Sequence, residues 1–124
     1  MRNRYDLTFT SSKIVIMIYG ATSERAERKL NSLLEQIQHD SMHQGRELNI
    51  IQSENNYLET DDYIIRAKKY NESARGNRYH IVYVDELVES YSEEHNVYLR
   101  GNIRRTVLNH NQQVYKFKFQ EDNI

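Results

Sequence analysis

Six consecutive apolar residues, Ile14 to Tyr19 (IVIMIY), end at Gly20 and are followed at once by a run with helical periodicity. A β-branched run of this kind reads as a strand, and glycine ends it. Thr22 or Ser23 then supplies a helix N-cap, with Glu24 in the first turn, where the positive end of the helix dipole favours a carboxylate. Ala26, Leu30, Leu33, Leu34 and Ile37 recur at offsets of four, three, one and three. On a helix over residues 23–38 that spacing gathers them within roughly one third of the circumference, a face that packs on a sheet. The opposite stripe, Arg25, Arg28, Lys29, Ser32 and Gln36, reads as a solvated face, and the helix is expected to fade over His39 to Gly45.

The rest of the chain reads mainly as strands. Tyr5, Leu7 and Phe9 alternate with Asp6, Thr8 and Thr10, the period-2 pattern of a half-buried strand. Leu48 to Ile51 reads as a short strand and Ser53 to Asn56 as a loop. Tyr63 to Tyr70 (YIIRAKKY) fits a strand or a short helix. The strand is preferred because Asn71 to Asn77 reads as a hairpin loop leading into Tyr79 to Val84 (YHIVYV), a run dense in β-branched and aromatic residues. Glu86 to Glu93 adds a helical turn. Ile103 to Leu108 and Val114 to Phe119 flank a turn at Asn109 to Gln113, which predicts a final hairpin.

Six or seven strands with one main helix, not alternating regularly with helices, point to an α+β fold. The expectation is a mixed, mostly antiparallel sheet, curled or closed into a small barrel, in a single domain over residues 1–124. No proline blunts the sheet edges, so closure or charge must protect them.

Little in the sequence supports catalysis. With no cysteine there is neither a disulfide framework nor thiolate chemistry, and a cytoplasmic location is expected. The longest apolar run is far shorter than the roughly 20 residues of a membrane-spanning helix, and no signal-peptide core follows Met1. His39 and His43 stand four apart in HDSMH but lack a third and fourth ligand, so no metal is expected. YGATSER around Gly20 lacks the glycine repeat and lysine of a phosphate loop. The pairs Asp61-Asp62 and Glu93-Glu94 are adjacent and point apart on a strand. The chain is expected to be no enzyme and to carry no cofactor.

The remaining signal is charge sorted into blocks although the net charge is only −1. Residues 66–80 (RAKKYNESARGNRYH) hold Arg66, Lys68, Lys69, Arg75 and Arg78 against the single acid Glu72, with Tyr70, Tyr79 and His80 interleaved. Residues 85–94 (DELVESYSEE) reverse the sign, and the tail turns basic again through Arg100, Arg104, Arg105, Lys116 and Lys118. Cations against phosphates and flat rings for unpaired bases are what RNA needs. The candidate RNA contacts are therefore Arg66, Lys68, Lys69, Tyr70, Arg75, Arg78, Tyr79, Arg104, Arg105, Lys116 and Lys118, on single-stranded or hairpin RNA. Ordinary exposed strand edges and core-packing tyrosines account for the same residues, and a near-zero net charge lacks the usual basic excess.

The small size, the absence of cysteine, proline and tryptophan, the strand pair Tyr5 to Tyr19, the helix Ser23 to Gln38 and the YHIVYV strand together resemble the PrgU-like proteins of enterococcal conjugative plasmids. The resemblance implies a PUA-like barrel and a regulator that restrains conjugation-gene expression by binding transcript RNA. It matches no individual RNA-contacting residue. The competing class is a protein-interaction module that inhibits a host enzyme or defence nuclease through residues Asp85 to Glu94. A homodimer is a further candidate assembly.

Overall fold

The computed structural model describes residues 13–70, 79–89 and 113–123. Its elements are β1 (Ile14–Gly20), α1 (Ser23–His43), β2 (Ile50–Glu54), β3 (Tyr57–Thr60), β4 (Tyr63–Lys69), β5 (Ile81–Asp85), α2 (Glu86–Glu89), β6 (Gln113–Phe117) and a 3-10 turn (Gln120–Asn123). The strands form one mixed sheet in the order β2-β3-β4-β1-β5-β6. With one main helix beside it, the architecture is α+β.

The apolar run of β1 explains its central position. A strand flanked by neighbours and covered on both faces has no exposed side to make polar, so its pattern is continuous rather than alternating. β1 pairs in parallel with β4 on one side and with β5 on the other, and β5 pairs in parallel with β6. The antiparallel sense expected for most of the sheet belongs to the β2–β3 and β3–β4 ladders. The hairpin expected between Tyr63–Tyr70 and Tyr79–Val84 gives way, because β1 lies between those two strands and takes up the pairing edges that a hairpin would have used. Among the described residues the sheet is open, with β2 and β6 at its edges, rather than closed into a PUA-like barrel. The strands expected at Tyr5–Phe9 and Ile103–Leu108 lie outside the described residues, as does the final turn from Asn109 until Gln113 opens β6.

The two sheet faces carry separate cores. Ile16, Ile18, Leu58, Ile65, Ala67 and Phe117 pack on Ala26, Leu30 and Leu33 of α1. Met17, Tyr19, Tyr79, Val82, Val84 and Val88 form the core of the opposite face. This is the period-2 alternation of β1 made visible: even-numbered isoleucines face the helix, while Met17 and Tyr19 face away.

Thr22 caps α1, its Oγ1 accepting from the Arg25 N–H at 3.2 Å. The helix ends at His43, inside the span His39 to Gly45 over which it is expected to fade. Gly45 follows with φ of 66°, the left-handed conformation that glycine adopts without steric cost. The β1–α1 turn is tight. A Cβ at Gly20 would lie 2.5 Å from the Thr22 carbonyl oxygen and 2.7 Å from the Ala26 nitrogen. At one edge of the sheet β2 is a short, wholly exposed strand. A bulge between Ile50 and Gln52 twists it locally, a common device at sheet edges.

Candidate functional site

The register of the ladders places the candidate side chains. Glu54 pairs with Tyr57, Tyr57 with Arg66, and Arg66 with Met17. Directly opposed residues point to the same side of a sheet, so this row shares the face opposite α1. Lys68 lies two residues beyond Arg66 on the same strand, in register with Tyr19, and therefore on that face too. Together with Tyr79 these residues line an open groove of about 380 Å³. That volume falls within the roughly 300–1,000 Å³ range of small-ligand sites.

On one side of this groove lie two cations, Arg66 and Lys68. The Arg66 guanidinium sits over the Tyr57 ring, 5.3 Å from its centroid, and the Lys68 ammonium lies 5.9 Å from the centroid of the Tyr19 ring. Among the described residues neither cation has a carboxylate within ion-pair distance. Lys13, Arg25, Arg28 and Arg46, in contrast, each pair with an acidic residue. The tyrosines beneath are apolar support. Burial raises the phenol of Tyr19 far above its ordinary value, with Tyr79 and Tyr70 adding to the effect, and burial likewise raises Tyr79, since a buried phenolate is poorly solvated. These hydroxyls stay protonated, and the Tyr19 and Tyr70 rings meet edge-on at 5.4 Å.

The expected RNA residues are thus divided by the fold. Arg66, Lys68 and Tyr79 converge on the groove. Lys69, one residue on from Lys68 and in register with Gly20, points to the opposite face, so the set Arg66, Lys68 and Lys69 does not act as one patch. Tyr70 serves as packing beneath the site against Tyr19. Lys116 shares the groove's sheet face through its register with Val84, but β5 and β1 intervene between it and Lys68. Lys118 follows β6, whereas Arg75, Arg78, Arg104 and Arg105 lie outside the described residues. Tyr57, Gln52, Glu54 and Asn56 of the groove went unread, because Ser53 to Asn56 looks like a loop. The signal was there in Asn55-Asn56, the two-residue turn that joins β2 to β3, since paired asparagines between short β-compatible runs favour a turn.

The basic stripe of α1 is solvated only in part: Arg28, Ser32 and Gln36 are exposed, whereas Arg25 and Lys29 are half-buried. Arg25 donates from Nε to the Asp85 carboxylate at 2.6 Å and from a terminal nitrogen to its second oxygen at 3.0 Å. Asp85 is wholly buried and also accepts from the backbone N–H groups of Ala21 and Leu87 at 3.0 and 3.1 Å. Arg25 further donates to Asp122, Arg28 pairs with Glu121, and both guanidinia lie over the Phe119 ring. The hydrogen bonds from Arg25 and from the Phe119 N–H hold the Asp122 carboxyl down at about 2, because both favour the ionised form. Lys29 lies over Tyr83 and Phe117, and burial lowers its pKa. The C-terminal turn is therefore strapped to the start of α1, and Asp85 does not belong to an exposed acidic pole.

The other candidates remain apart. His39 and His43 are exposed on the last turn of α1, their rings in edge contact at 4.5 Å, and no group of three or more metal-ligating side chains exists among the described residues. A second cavity, about 250 Å³ between the end of α1 and the β3–β4 turn, is lined by Asp40, Glu47, Asp61 and Asp62, the wrong sign for phosphate. No described helix is long and apolar enough to cross a membrane. Compared with known proteins, the chain matches no family model and no curated sequence.

Proposed function

We propose that this chain is a non-enzymatic RNA-binding regulator of a mobile element, acting in the cytoplasm by holding single-stranded or hairpin transcript RNA in the groove of Arg66, Lys68, Tyr57 and Tyr79. The observation that carries the reading is the pair of cations without acidic partners among the described residues, set beside aromatic rings on one sheet face. Phosphates neutralise the cations, and an unpaired base has a ring to lie against. Its role in restraining gene expression follows from the plasmid-protein resemblance.

Fluorescence anisotropy with labelled single-stranded RNA, hairpin RNA and duplex DNA at several salt concentrations tests the proposal. Micromolar or tighter RNA binding is expected, weakening with salt. Each phosphate contact on a single strand contributes about 0.7 to the slope of log affinity against log salt. Replacing Arg66 and Lys68 together by alanine should flatten that slope by about 1.4, while Lys69→Ala, on the other face, should leave site affinity within about twofold. Absence of RNA binding at low salt sinks the proposal in favour of a protein partner.

A further inference from the structure

The groove has two chemically different walls. Arg66 and Lys68 on β4 form the cationic wall; Gln52 and Glu54 on β2, with Asn56 in the turn, form a neutral-to-acidic one, and Tyr57 lies between them. The Gln52 side-chain amide donates to the Glu54 carboxylate, and no cation pairs with Glu54 among the described residues. A carboxylate repels phosphate. A nucleotide seated here therefore turns its phosphate toward β4 and its base edge toward the β2–β3 hairpin.

An ionised carboxylate only accepts hydrogen bonds, so the base edge it meets must donate. The four bases differ sharply in this respect. Guanine presents N1–H and the N2 amino group side by side, two donors matched to two carboxylate oxygens. Adenine and cytosine set an amino group beside an acceptor nitrogen, and uracil sets its one N–H between two carbonyls. These edges are free only in unpaired nucleotides. Resting on the RNA-binding reading above, we propose that the groove selects an unpaired guanine, with Glu54 accepting from its Watson–Crick edge, Tyr57 against its ring, and Arg66 and Lys68 on the adjoining phosphates.

The test is anisotropy with a labelled short oligouridylate and with the same oligomer carrying one central guanine, adenine, cytosine or inosine. Wild-type protein should bind the guanine oligomer about tenfold more tightly than oligouridylate, in the range of one bidentate base-edge pair. Inosine, which keeps N1–H but lacks the amino group, should lose about half of that preference on the logarithmic scale. Glu54→Gln, on the exposed edge strand, should abolish the preference, so that the guanine oligomer and oligouridylate bind the variant alike. The ligand-side inosine comparison stands even if that variant fails to fold. Equal affinity for all five oligomers, with binding still dependent on Arg66 and Lys68, overturns guanine selection and leaves the RNA reading standing. No binding to any of them at low salt overturns both.

Discussion

Replacing Asp85 by alanine should cost more stability than any surface charge change in this protein. Asp85 has no exposed surface and accepts from two Arg25 nitrogens and two backbone N–H groups. Removing one partner of a buried ion pair costs about 3–5 kcal/mol, because the other charge is left without compensation. Stranding two backbone donors adds about 1–3 kcal/mol each in isolation, but the terms overlap and do not sum. Asp122 still holds the outer edge of Arg25 and moderates the loss. The expected change is therefore about 3 kcal/mol, a drop of roughly 2 M in the urea midpoint at an m-value of roughly 1.5 kcal/mol/M. Far-UV circular dichroism during urea titration measures it, at low salt and at about 1 M sodium chloride, and the loss should persist at high salt because buried pairs are weakly screened. Asp85→Asn should lose less, since its amide oxygen still accepts. Glu121→Gln, in the exposed pair with Arg28, should differ little from wild type and only at low salt. A loss below about 1 kcal/mol for Asp85→Ala would refute the reasoning and make the Arg25–Asp85 contact an ordinary surface pair.

Three further outcomes follow from particular contacts. Gly20→Ala places a methyl group against backbone atoms at 2.5 and 2.7 Å. Urea titration of that variant should show a loss of about 2 kcal/mol, as overpacking does. Thr22→Ala removes the acceptor for the Arg25 N–H and should lower stability by about 1 kcal/mol, a loss that Thr22→Ser restores on denaturation. Burial lowers the pKa of His80, whose Nδ1 accepts from the Val15 N–H at 3.0 Å. The unfolded chain then takes up this proton at a higher pH than the folded one does, so the stabilisation is complete above the ordinary histidine value of about 6.5 and is lost as the pH falls toward the lower folded value. The thermal midpoint should decline from about pH 7 to about pH 5, and His80→Gln should flatten that decline; an unchanged pH profile in the variant assigns it to other groups.

Elements governed by local pattern were legible in the sequence, and those governed by distant partners were not. β1, α1 with a cap at Thr22 or Ser23, and the strand character of Tyr63–Lys69 and Ile81–Asp85 follow from short-range periodicity and capping chemistry. β3 escaped because Tyr57–Thr60 is short and half polar, and its strand character comes from pairing with β2 and β4. Strand direction escaped because proximity in sequence favours a hairpin, whereas β4 and β5 are brought to opposite sides of a strand far upstream of both. Arg25 looks solvated like the rest of its stripe because its partners, Asp85 and Asp122, lie 60 and 97 residues away. For the site, Arg66, Lys68 and Tyr79 were legible as residue types, but the separation of Lys69 depends on the pleat, and the groove's second wall depends on a turn that the sequence only hints at.

The central place of β1 also has a consequence for how the chain emerges from the ribosome. Its backbone partners are synthesised late, with Val15 bonding to His80 across 65 residues. At a synthesis rate of about 5 to about 20 residues per second, the IVIMIY segment waits on the order of 3–13 s before its second neighbour has been made. During that interval a strand that ends up largely buried is an uncovered apolar run on the nascent chain. Slowed translation between Gly20 and Asp85 should therefore lower the yield of folded protein more than the same delay placed after Asp85.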